Sequence, residues 1–146
     1  MRILALDLGA QRIGVAGTDP LGWTAQPLGV IRRRLIEQDL DEIMGYIQNY
    51  SIQLVLVGLP LRGTEGTVGI QAHKTFTFCE QLKSFAAARG FPVRVETWDE
   101  SMTTHEAQTL LRAAGATAKR RKKAVDKLAA AMLLTSYLQA QQEETG

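Results

Sequence analysis

Ile52 to Val57 reads IQLVLV, a short run that is rich in β-branched residues and almost wholly apolar. A strand with no polar face to offer water must be covered on both sides. The flanking segments supply the cover. Ile36, Leu40, Ile43, Met44 and Ile47 recur at three- and four-residue steps, the pattern of an amphipathic helix. A second helix is expected from about Val68 to Arg89, with Gly90 as its C′ residue, and Pro92 to Trp98 (PVRVETW) reads as the next strand. Strands alternating with long helices imply parallel crossovers and helices on both faces of a sheet.

The first third has a different texture. Ile3 to Leu8, Ile13 to Thr18 and Thr24 to Arg32 are short strand-like runs separated by turn residues, Gly9 to Arg12 and then Asp19-Pro20 and Gly22. They suggest an antiparallel meander. Near the C-terminus, Thr103-x-x-Glu106 fits a capping box ahead of a buried stripe that stops at Gly115. A basic link follows, then a last helix from about Lys123 to Gln141. The expected order is β-β-β-α-β-α-β-α-α, giving one mixed five-stranded α/β sheet flanked by helices. The 146 residues suit a single domain with its own core.

Asp7 breaks the apolar run of the first strand. An ionised carboxylate there costs several kcal/mol unless a cation or hydrogen bonds compensate it. Two more acidic positions invite the same question. Asp99 and Glu100, in WDESMTT, come just past a strand end, where α/β sheets bind ligands. Asp126, in KKAVDKLAAAMLL, has Ala129, Ala130, Leu133 and Tyr137 as helical neighbours, which sets it on or beside a packed face. Each has a bland reading: a paired strand acid, a helix cap, and a first-turn complement to the helix dipole. Taken together, they need a cation among them to offset their repulsion. Magnesium takes oxygen ligands of this kind, and a pair of such ions can promote phosphodiester hydrolysis.

Lys119, Arg120, Arg121, Lys122 and Lys123 are consecutive cations just before Asp126, and a run beside a metal ligand suits phosphate. Arg32, Arg33 and Arg34 form a second cluster. Gly58, Gly63, Gly66 and Gly69 make a glycine-rich loop without a P-loop ending, with Arg62 as a candidate phosphate contact. His73 reads as a helix-face residue. The net charge of +2 is not that of a strongly basic binder. One cysteine, Cys79, rules out an internal disulfide framework and fits a reducing cytosol. His73, Cys79 and His105 have no zinc-site spacing. There is no signal-peptide pattern and no run of the roughly 20 apolar residues that span a bilayer. A soluble, cytoplasmic protein without membrane contact is expected.

The ordered motifs LDLGAQRIGVA, VGLPLRGTEG, WDESMTT and KKAVDKLAAAMLL resemble the YqgF/RuvX family across nearly the whole chain. The resemblance implies a ribonuclease H-like fold and a nuclease dependent on Mg²⁺ or Mn²⁺, one or two ions. Its acidic site falls on Asp7, Glu100 and Asp126, with Asp99 adjoining as a further metal ligand. Arg12 and Arg62 match the family pattern as backbone contacts, beside Lys119 to Lys123. The implied substrates are the precursor of 16S ribosomal RNA, trimmed at its 5′ end, or a Holliday junction. The implied assembly is a monomer or weak homodimer. One departure stands out: the third motif usually reads Asp-Glu-Arg, and here Ser101 takes the place of the arginine. Two other readings compete, an actin-like nucleotide-binding protein, which shares the DLGAQRIGVA hairpin, and a non-catalytic nucleic-acid binding module.

Overall fold

The computed structural model describes residues 1–59, 65–99 and 118–145, with side chains over 1–59, 69–99 and 128–143. The meander forms as expected: β1 (Ile3–Leu8), β2 (Arg12–Thr18) and β3 (Ala25–Arg32) pair antiparallel in sequence. Helix α1 (Ile36–Asn49) then carries the chain across to β4 (Leu54–Leu59), which pairs with β1 in parallel. Helix α2 (Glu65–Ala88) leads to β5 (Arg94–Asp99), parallel to β4. The sheet order is β3-β2-β1-β4-β5, so β1 is central. A last helix, α3 (Ala118–Thr145), follows. The capping-box helix expected after Thr103 lies outside the described residues.

Strand alternation sorts the side chains into two cores. Leu4, Leu6, Ile13, Val15, Val55 and Val57 pack with Ile43, Met44 and Ile47 of α1 and Phe78 and Leu82 of α2. Ile3, Ala5, Ala16, Leu54 and Leu56 point the other way, onto Ala130, Ala131, Leu133 and Leu134 of α3. The IQLVLV stretch is thus buried on both faces, as its composition requires. Thr18 is 3% exposed and its hydroxyl accepts the N–H of Ile3 at 3.0 Å, so the polar group buried at the sheet margin is satisfied.

Helix ends explain where the elements stop. Leu35, at the N-cap of α1, has no side-chain oxygen, and Gln38 Oε1 reaches back to its N–H at 3.3 Å instead. At the end of α2, Gly90 takes φ +79°, the left-handed conformation that a side chain disfavours. Phe91 then donates to the Ala86 carbonyl at 3.0 Å and Gly90 to that of Ala87 at 3.1 Å, the paired bonds of a Schellman motif.

Two sequence expectations need correction. The basic run is not a link: α3 begins at Ala118, so Lys119 to Lys123 occupy its first turns. Asp126 consequently sits in the third turn, beyond the reach of the N-terminal dipole charge. The glycine-rich loop is shorter than expected, because Gly58 belongs to β4 and Gly66 and Gly69 belong to α2.

Candidate functional site

Asp7 stands one residue from the carboxyl end of the central strand and is half-buried. It has the parity of Ile3 and Ala5, so it lies on the sheet face that α3 covers. Its antiparallel partner is Gly14. No β2 side chain therefore stands directly opposite the carboxylate. Arg12 is the next β2 position on the same face, diagonal to Asp7, and pairs across to Arg32.

The β1–β2 turn that joins Asp7 to Arg12 is held from two sides. Gly9 donates to the Arg12 carbonyl at 2.7 Å, and a Cβ on Gly9 would sit 2.8 Å from that oxygen, so the turn needs glycine there. From the β3–α1 connection, the Arg33 N–H donates to the Gln11 carbonyl at 2.8 Å and Arg33 Nη1 to the Gly9 carbonyl at 2.8 Å. Arg33 is in turn set by Asp39, whose Oδ2 is 3.8 Å from its Nε. Asp39 is 1% exposed; its Oδ1 also accepts the Arg34 N–H at 2.9 Å, and Arg34 pairs with Glu42. The chain from a buried carboxylate through an arginine to the turn was not visible in the sequence. Its only trace was the Arg32–Arg34 run.

Asp99 ends β5 beside Leu59 of β4 and is exposed. It shares parity with Val95, which belongs to the α1–α2 core, whereas Trp98 packs with the α3 core. Asp99 and Asp7 therefore stand on opposite faces of the sheet. Trp98 Nε1 donates to Ser136 Oγ at 3.2 Å and its ring meets Tyr137 edge-on at 5.2 Å, which ties the end of β5 to α3. Asp126 lies one helical turn before Ala130, a fully buried residue of the α3 stripe. The side chains of Asp126 and of Lys119 to Lys123 lie outside the described set, and Glu100 and Arg62 lie outside the described residues. Among the described residues, no three acidic, histidine or cysteine side chains cluster as a metal site.

A cleft of about 680 Å³ opens at the same end of the sheet, bounded by Leu8 to Ala10 after β1, Gly58 of β4, Arg33, Arg34 and α2. It is on the α2 side, across the sheet edge from Asp7. His73 and Lys74, both exposed on α2, line it. Among the described residues no helix is long and apolar enough to cross a membrane.

Comparisons with known proteins agree over nearly the whole chain. A family model described as "RuvX: Holliday junction resolvase" matches residues 1–140. A protein of Desulforamulus reducens named "Putative pre-16S rRNA nuclease" is 44% identical over 138 residues, covering 94% of this chain and 96% of its own. One of the same name from Syntrophus aciditrophicus is 42% identical over 144 residues, covering 99% and 92%. Among solved structures, "T. thermophilus RuvC in complex with Holliday junction substrate" superposes with a TM-score of 0.60 at 14% identity, covering 98% of this chain and 96% of that one. At that identity the likeness establishes the ribonuclease H-like resolvase fold alone.

Proposed function

The chain belongs to the RuvX family, and from that premise we propose that it is a metal-dependent endonuclease that cuts phosphodiester bonds in structured nucleic acid. The observation that carries the proposal is Asp7: a carboxylate at the carboxyl end of the central strand, facing a glycine, on the sheet face covered by the helix that carries Asp126. Family membership sets aside the nucleotide-binding alternative. The names of the relatives favour 5′-end processing of pre-16S rRNA in ribosome biogenesis. The description of the family model favours junction resolution as the second reading.

The donor set suits a hard divalent ion, magnesium or manganese, since every candidate ligand is a carboxylate oxygen. Asp7, Glu100 and Asp126 would hold it. Between the adjoining acids we assign Glu100, because Asp99 stands on the face opposite Asp7. When bound, such an ion offsets the carboxylate charges and promotes attack of water on phosphorus. Arg12, diagonal to Asp7, suits the role of orienting the phosphate. Lys119 to Lys123 begin α3 against its own dipole, a local cost that bound phosphates would offset. Those contacts position the substrate without reading its sequence.

The test is side-by-side cleavage of a pre-16S rRNA 5′ segment and a four-way DNA junction in Mg²⁺ and Mn²⁺. Wild type should cut the RNA at a defined site, and Asp7→Asn should lower that rate by about 100-fold or more. Cleavage of the junction alone would move the assignment to the second reading. Equal cutting by Asp7→Asn, or none by wild type with either ion, would sink the proposal.

A further inference from the structure

The cleft on the α2 side lies where the chain's topology changes direction. From β1 the connections run outward through β2 and β3, and the chain then crosses to β4 on the other side of β1. The carboxyl ends of β1 and β4 therefore flank a topological switch point, the place where open α/β sheets bind ligands. Gly9 and Gly58 are among its lining residues.

Its charge is set by a few groups. Arg33 pairs with Asp39 and donates to the Gly9 carbonyl, and Arg34 pairs with Glu42, so each of these two cations has an acidic partner. Lys74 is exposed and has no ion-pair or hydrogen-bond partner among the described residues. His73 stands beside it, with Gln71 and Thr77 as neutral polar neighbours. A trough in which Lys74 is exposed and unpaired among the described residues, beside two arginines with acidic partners, suits an extended polyanion better than a compact apolar ligand. The trough begins at Leu8, the residue after Asp7, so a strand crossing the sheet edge would meet both.

We propose that this cleft holds the sugar–phosphate backbone of the substrate strand next to the scissile bond, with Lys74 as its phosphate contact. The proposal rests on the nuclease reading above and adds a second contact surface across the sheet edge from the basic turns of α3. Because the contact is to backbone, RNA and DNA substrates feel it alike.

The experiment measures binding of a labelled pre-16S rRNA 5′ segment and of a four-way DNA junction across a salt series. Wild type is compared with Lys74→Gln, Lys74→Glu and a control on the same helix, Lys83→Gln. Lys83 is exposed and pairs with Glu80, outside the cleft. Lys74→Gln should reduce the slope of log K against log salt by about 0.7–0.9, the value of one phosphate contact. Lys74→Glu should weaken binding further. In cleavage, KM should rise several-fold with kcat within about twofold, as expected for contacts made equally in ground and transition states. Slopes equal to those of Lys83→Gln, with wild type still cutting, would overturn the cleft and leave the nuclease intact. Failure of wild type to bind or cut either substrate would overturn both.

Discussion

Asp39 shows how much a single buried residue contributes to this site. It touches none of the expected metal ligands, yet it anchors Arg33, which clamps the turn after Asp7, and accepts the Arg34 N–H beside the cleft. Replacing Asp39 with Ala strips the Arg34 N–H of its acceptor and frees Arg33. The expected cost is about 1–3 kcal/mol, read from urea midpoints. Cleavage should also fall, and Asp39→Asn, which keeps an acceptor for the Arg34 N–H, should recover more stability than activity. Cys79 provides a pH-dependent check on the core beneath α1 and α2. Burial pushes its thiol up to about 11 from 9.0. The fold thus favours the protonated form, so this contribution is complete below pH 9 and is lost as pH rises toward 11. The thermal midpoint of wild type should fall across that window more steeply than that of Cys79→Ala. Parallel curves would refute the assignment. Neither residue announced its role in the sequence, since an acid in a helix's first turn and a lone cysteine are both ordinary.

Two elements carry the site, and they were legible to different degrees. The β1–β2 hairpin could be read from LDLGAQRIGVA, because an apolar run, a glycine turn and a second run leave little else to form. Its tightness could not, since it depends on the Arg12 carbonyl lying 2.8 Å from where a Gly9 Cβ would be. Gly9→Ala should cost about 1–3 kcal/mol by forced displacement of the turn, and cleavage should drop with it. Helix α3 was expected to start five residues later than it does. Five cations at a helix start oppose the dipole, so local reasoning set them in a link. Lysine and arginine are nonetheless good helix formers, and the stripe from Ala130 to Leu134 is anchored in the core, so the helix extends back through them. Leu133 is fully buried in that stripe. Leu133→Ala should destabilise the protein by about 2–5 kcal/mol in denaturant titration.

At the scale of the molecule, the sheet order makes the chemistry possible. Placing β1 between β2 and β4 puts Asp7 in the middle of the sheet's carboxyl edge, with α3 over one face and the cleft on the other. The order of elements followed from alternating patterns along the chain. The faces did not, because they depend on register: Asp7 pairs with Gly14, and Gly58 with Trp98, and only those pairings separate Asp99 from Asp7. The sequence set Asp99 beside Glu100, and strand parity puts Asp99 on the face opposite Asp7. The nuclease reading requires that Asp7 hold a divalent ion shared with Glu100 and Asp126. Titration of Mn²⁺ into the protein, followed by electron paramagnetic resonance of the free ion, tests it without any substrate. Wild type should bind saturably, with binding weakened about 10-fold or more by Asp7→Asn and little changed by Asp99→Asn. Equal Mn²⁺ binding by wild type and Asp7→Asn would contradict it.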